Sequence, residues 1–310
     1  MIKPASSNKD IILGTALWGW GITRTEAFKL LEGHFDNGGT IVDTATNYPI
    51  NKCQKDFGLA IRWLEEWTRL NPDTKYSLMV KLGSKNNLGG PEVDLGKKNI
   101  YETTERLKDS FGSSLSCISI HWDNRVTRDK EEGMVRETVE AMSRLKETGL
   151  NIGLSGISDP KLYYLASPDL ANEWVIQVKE NILTNQARLA YEKYFPHARY
   201  FAYGINMGGL KLEDYSCNSS IRLRGIKVDQ SIVDKLRRIL NSSDDIKPSP
   251  KNLNQLSLAF THSNEALSGV IIGPRNMSQL EDTFRFWNEL EKSDNRAIWS
   301  YLFQQAKKGN

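Results

Sequence analysis

The chain has 310 residues, 39% of them apolar, which is enough to bury a large core in one barrel domain or in two smaller ones. A formal charge of +3, from 41 basic and 38 acidic side chains with no block of five or more Lys and Arg, argues against a nucleic-acid or other polyanionic partner. No apolar run approaches the roughly 18 residues of a membrane span, and MIKPASSNKD lacks the apolar stretch of a secretory signal, so a soluble, cytoplasmic protein without a membrane partner is expected.

Short β-rich apolar runs alternate with segments of helical period, the pattern of βα units around a parallel sheet. IILGT from Ile11 precedes TEAFKLLEGHFDNG, where Ala27, Leu30, Leu31 and Phe35 share a helical face, Thr23 or Thr25 caps the start and Gly38 stands near the stop. TIVDTA from Thr40 is followed by CQKDFGLAIRWLEEWTRL, read as one helix with an apolar stripe of Phe57, Ile61, Leu64 and Trp67; Trp63 and Trp67 are packing residues. Further strand runs are YSLMVKL from Tyr76, LSCISIHW from Leu115, NIGLSGI from Asn151, WVIQV from Trp174 and YFAYGI from Tyr200. From about Leu210 to Asn252 the chain is polar and turn-rich apart from SIVDKLRRIL, and reads as an elaborated loop. SGVIIG from Ser268 is the eighth run, and MSQLEDTFRFWNELEK and RAIWSYLFQQAKK read as closing helices. Eight runs close a (β/α)8 barrel, here expected as a single α/β domain over 1–310.

Cys53, Cys117 and Cys217 are odd in number and far apart, fitting neither a disulfide framework nor a Cys-x-x-Cys metal site, and read as buried or incidental thiols. No His/Cys/Asp/Glu cluster has metal-ligand spacing. The Asn-x-Ser triplets at Asn218, Asn241 and Asn276 match the glycosylation pattern, but without a secretory signal they have no route to modification.

In a parallel barrel the chemistry gathers at the C-terminal ends of the strands. The second run carries Asp43, with Tyr48 five positions on; the third carries Lys81; the fourth ends in His121-Trp122. An Asp and a Lys in otherwise apolar strands need one another, because each alone is costly to bury. In one pocket, the Lys81 ammonium lowers the pKa of Tyr48 from about 10, Asp43 keeps Lys81 charged and oriented, and His121 donates to a carbonyl oxygen becoming an alkoxide. A structural ion pair and a satisfied core histidine are the bland alternatives for these residues.

GTALWGWG, VDTATNY, the Lys of LMVKLG and the His of ISIHW follow, in order, the pattern of the aldo-keto reductase family, and the chain resembles that family from about Ile11 to Asp282. The resemblance implies an NADPH-dependent oxidoreductase that reduces an aldehyde or ketone to an alcohol, with Asp43, Tyr48, Lys81 and His121 as the catalytic tetrad and Tyr48 as proton donor. Hydride comes from NADP(H), since no side chain supplies it. By the same resemblance the cofactor is contacted by Gly14, Thr15, Ala16 and Asp43, by Ser155 and Gln177 at the nicotinamide, by Tyr203, Gly208, Gly209 and Leu210, and by Gly273, Pro274, Arg275, Asn276 and Gln279 of IIGPRNMSQLED. The planar guanidinium of Arg275 suits a 2'-phosphate, which favours NADP over NAD; a solvated surface arginine is the alternative. The family's Asn beside Ser155 is Gly156 here, the usual Ser-Pro-Leu after Tyr203 is absent, and Pro49 replaces the common Gly after Tyr48.

Trp18, Trp20 and Trp122 match apolar positions at the family's substrate mouth, beside Tyr48 and His121, and their faces suit sugar-like and aromatic carbonyl compounds equally; ordinary packing is the alternative for Trp20. His34, His197 and His262 receive no role. Two other functions stay open: a non-catalytic NADPH-binding regulatory subunit, against which the intact tetrad argues, and an isomerase or lyase that recycles its cofactor on one substrate.

Overall fold

The computed structural model describes residues 9–126, 129–213, 215, 219–225, 227–243, 246–293 and 296–307. Cys217 and Asn218, singled out above, lie outside the described residues. Eight parallel strands close a barrel in sequential order: β1 (Asp10–Gly14), β2 (Ile41–Ala45), β3 (Ser77–Leu82), β4 (Leu115–Ile120), β5 (Asn151–Ser155), β6 (Trp174–Lys179), β7 (Arg199–Tyr203) and β8 (Gly269–Ile272). All eight expected runs are strands. The helices, in chain order, are α1 (Arg24–Asp36), α2 (Leu59–Leu70), α3 (Lys97–Phe111), α4 (Asp129–Glu147), α5 (Pro160–Ala166), α6 (Gln186–Glu192), α7 (Ser220–Leu223), α8 (Gln230–Asn241), α9 (Leu253–Ser263), α10 (Met277–Glu291) and α11 (Arg296–Lys307).

Thr23 caps α1 in a full capping box with Glu26: the Thr23 hydroxyl accepts from the Glu26 amide while the Glu26 carboxylate accepts from the Thr23 amide. The second helix starts later than the periodicity implies. Gln54–Asp56 form a separate 3-10 turn, held by Asn51, which accepts from the Cys53 amide and donates to Asp56, and Gly58 in the left-handed region (φ 70°) breaks the path before Leu59. Phe57 therefore lies outside α2, while Ile61, Leu64 and Trp67 form its buried stripe. SIVDKLRRIL lies within α8, which buries Val233, Leu236 and Ile239, and the short α7 precedes it. The sequence reading misses α9, because nearly every one of its residues is buried and no polar face marks a period.

The apolar residues form two clusters. The larger lies between the strands and the helices; the smaller, made of Ile12, Met79, Cys117, Val175, Phe201 and Ile271 with Ile41 and Tyr203 against it, fills the inside of the barrel. Side chains alternate faces along a strand, so the positions two residues beyond this inner layer also face inward, at the C-terminal end. They are Gly14, Asp43, Lys81, Ser119, Gln177, Tyr203 and Gly273, and all but Ser119 line the cavity described next. A polar layer thus sits directly above an apolar plug.

Candidate active site

A cavity of about 1130 Å³ opens over the C-terminal ends of the strands. At its floor, Asp43 and Lys81 are almost wholly buried and joined by an ion pair between Oδ2 and Nζ. The other Asp43 oxygen, Oδ1, accepts a 2.7 Å hydrogen bond from Gln177 Nε2, reaching across from β6. Burial alone would lower the pKa of Lys81, but the Asp43 carboxylate and the hydrogen bonds to Asp43 and Tyr48 outweigh it and raise it, so the side chain stays an ammonium.

Tyr48 lies in the loop after β2, with the Lys81 ammonium 5.2 Å from its ring centroid. Here the electrostatics differ from the sequence-based expectation of a lowered phenol pKa. Burial pushes Tyr48 above its ordinary value, and Lys81 opposes that shift without reversing it. The phenol is thus held in its protonated form, with an ammonium alongside to receive the charge that develops when the proton leaves.

His121 follows β4. Its ring meets Tyr48 edge-on at 5.4 Å between centroids and lies 4.5 Å from the Trp122 ring. Burial, reinforced by Lys81, holds its pKa well below the usual histidine range, so it is neutral. Ser84, in the loop after β3, sits 3.3 Å from Nδ1 through its Oγ. Nothing in the sequence marked Ser84. A serine three residues beyond a strand-borne Lys is the only signal there was.

Behind His121-Trp122, a rigid brace fixes the ends of β4 and β5. The Asp123 carboxylate accepts two-pronged bonds from Arg125 and a 2.7 Å bond from the Tyr163 hydroxyl. Its amide donates to the Gly156 carbonyl. Gly156 has φ +57°, and a Cβ there would lie 3.1 Å from Trp122 Cβ and 3.2 Å from the His121 carbonyl oxygen. The bend toward His121-Trp122 leaves little room for the side chain that the resemblance leads one to expect at this position.

The expected site residues separate into three groups. Gly14, Ala16, Asp43, Tyr48, Lys81, His121, Trp122, Ser155, Gln177, Tyr203, Gly208, Gly209, Gly273 and Trp20 all line the cavity. Pro274, Arg275, Asn276 and Gln279 stand outside its lining, at the start of α10. Asn276 caps that helix by accepting from the Gln279 amide at 3.0 Å, Gln279 accepts from the Arg275 amide at 2.9 Å, and the Arg275 guanidinium donates to the Gly21 carbonyl at 2.8 Å. Arg275 thereby ties the loop after β1 to the end of β8.

The third group, Trp18, Thr15 and Leu210, is also absent from the cavity lining. Trp18 is fully buried and packs in the core, because the chain turns at Gly19 (φ 79°) and sends Trp20, not Trp18, to the cavity. Thr15 is fully buried and donates to Thr44 Oγ1 at 2.8 Å. Leu210 folds back through its amide to the Asn206 carbonyl and packs on the core.

The loop after β7 supplies groups the sequence did not reveal. Arg222, Leu223 and Arg224 line the cavity, the Arg224 guanidinium lies 5.6 Å from the Trp20 ring centroid, and Leu223 reaches Gly21. Among the described residues no group of three or more His, Cys, Asp and Glu could hold a metal, and no helix is long and apolar enough to cross a membrane.

The chain matches the model of the Aldo/keto reductase family over residues 10–301, nearly its whole length, and it belongs to that family. No curated protein matches it.

Proposed function

We propose that this member of the Aldo/keto reductase family is an NADPH-dependent oxidoreductase that reduces an aldehyde or ketone to an alcohol, with Tyr48 as general acid. The observation that carries the reading is the convergence of Tyr48, Lys81, Asp43 and His121 at the floor of one cavity. A bound nicotinamide cofactor supplies the hydride. The residues present fit such a group: the cavity is large enough for a nucleotide, the adjacent Gly208 and Gly209 bring backbone without side chains to its wall, and Ser155 and Gln177 offer amide partners at its floor. The basic side chains lining the cavity favour NADP over NAD.

The protein's own part is proton transfer and orientation. Tyr48, protonated because it is buried, donates its hydroxyl proton to the carbonyl oxygen as charge develops there, and the resulting phenolate is stabilised by the Lys81 ammonium. With Ser84 Oγ donating to Nδ1, neutral His121 carries its proton on Nε2 and directs it to the same oxygen. Asp43 holds Lys81 in place, and Gln177 holds Asp43.

NADPH consumption with a reactive generic aldehyde, compared between the wild type and Tyr48→Phe, tests this reading. The wild type turns over, and the variant, which keeps the ring but lacks the acid, falls by about 100-fold or more. Equal rates in the two proteins would remove Tyr48 from the mechanism. Tight NADPH binding without turnover by the wild type would favour a regulatory subunit.

A further inference from the structure

Outside the Asp43–Lys81 pair, the charges lining the cavity are all of one sign: Lys52, Lys179, Arg222 and Arg224, with no second carboxylate. This asymmetry does not come from the chain as a whole, whose formal charge is only +3. Elsewhere arginines pair with carboxylates, as Arg24, Arg125, Arg188 and Arg285 do. Among the described residues none of the four cavity cations has a carboxylate within ion-pair distance. Unpaired cations gathered in a concave, partly apolar site raise the local potential and attract anions.

The phosphates of a dinucleotide account for some of this charge, but two of the cations stand on the side where the carbonyl must sit. Arg224 lies over Trp20 and within electrostatic reach of Tyr48. Lys52 is four residues beyond Tyr48 on the loop after β2, beside Ile50 and Asn51 in the same wall. The Trp20 ring, 5.6 Å away, gives the Arg224 guanidinium a cation–π contact while its hydrogen-bond donors stay available.

We propose that the substrate is an anionic carbonyl compound, with a carboxylate or phosphate group bound by Arg224, assisted by Lys52, while its carbonyl lies at Tyr48 and His121 and its body against Trp20 and Trp122. The proposal rests on the carbonyl-reductase reading and names the substrate class for that site. A guanidinium engages either anion through paired hydrogen bonds, so the shared requirement is a planar or tetrahedral oxyanion.

The test uses the full chain and three matched aldehydes: 4-formylbenzoate, 4-formylphenyl phosphate and the neutral methyl 4-formylbenzoate. The wild type prefers one or both anions over the ester by about 10-fold or more in kcat/KM, the size expected of a charge-assisted contact, and the preference shrinks as salt is raised. Arg224→Gln abolishes most of that ratio, and Lys52→Gln lowers it by about 3-fold. Whichever anion shows the larger preference identifies the group the site takes.

A second readout does not depend on turnover. Calorimetry of the NADP-saturated protein with 4-(hydroxymethyl)benzoate and its methyl ester gives tighter binding of the carboxylate, and Arg224→Gln weakens that binding more than it weakens NADPH binding. An equal or larger loss for NADPH would assign Arg224 to the cofactor and overturn the proposal. A wild type that reduces the neutral ester as well as the anions would overturn it while leaving the reductase reading intact. A wild type that reduces none of the three would break the reductase reading, and calorimetry would still decide the anion site.

Discussion

Of the buried ion pairs among the described residues, two are closely matched, and only one of them faces the cavity. Asp43–Lys81 and Glu180–Arg188 are equally withdrawn from solvent, with side-chain exposures of 3% and 2% in the first and 0% and 6% in the second. Both are supported by neutral amides: Gln177 donates to Asp43, and Asn264 donates to Glu180 at 2.6 Å. The difference is strand parity. Lys179 at the end of β6 faces the cavity, and the next residue, Glu180, turns outward to meet Arg188 on α6 at 2.7 Å. Arg188 also donates to Glu192 within the helix layer. Burial of charge alone therefore does not mark a reactive site. The proposed chemistry rests on burial together with access to a cavity, which only Asp43–Lys81 has.

The comparison can be broken most severely at Arg188. Arg188→Met strands the Glu180 carboxylate, which burial already pushes upward in pKa and which Arg188 holds down. Denaturant unfolding should report a loss of about 3–5 kcal/mol, with the turnover of each folded molecule unchanged. A loss of turnover at full stability would mean that the outer pair acts on the chemistry.

A smaller effect should appear with pH. His34 is buried, its Nε2 bonded to the Ile41 carbonyl at 3.0 Å, and burial lowers its pKa to about 4 from 6.5. Its folded pKa is depressed, so the unfolded chain takes the proton first. The stability it contributes is intact above pH 6.5 and is lost as pH falls from 6.5 toward 4. Between pH 7.5 and pH 5 that single group removes about 2 kcal/mol, and His34→Gln should flatten the pH dependence of unfolding by that amount. An identical slope in the variant would show that this ring is not the proton acceptor.

The smallest change concerns the cavity side alone. Ser84→Ala frees His121 Nδ1 and should lower kcat/KM on a generic aldehyde by about 3- to 10-fold, consistent with loss of one neutral hydrogen bond, while unfolding barely changes. A variant with wild-type kcat/KM would mean that Ser84 does not set the His121 tautomer.

What could be read from the sequence follows the same parity. Asp43, Lys81 and His121 stand out because ionisable residues in or directly after short apolar runs have few physical solutions, and the strands that carry them were recognisable as β-rich runs. Ser84 and Arg224 come from loops and Arg222 from the short α7, whose courses are set by contacts such as Leu223 against Gly21, and no local period encodes those contacts. Trp18 and Trp20 look alike in the sequence. A single left-handed Gly19 between them sends one into the core and the other to the cavity. The direction of the Tyr48 shift was also hidden, because it depends on how deeply the phenol is buried as much as on the neighbouring charge.

The most direct test of the distinction removes both charges of each pair, so that neither variant leaves a buried ion alone. In Asp43→Asn/Lys81→Met and in Glu180→Gln/Arg188→Met, unfolding free energy and NADPH-dependent turnover on a generic aldehyde are measured side by side. Both proteins should remain folded, within about 1–2 kcal/mol of the wild type, and only the first should lose about 100-fold or more of its turnover. Wild-type turnover in Asp43→Asn/Lys81→Met would contradict the assignment of that pair to the chemistry.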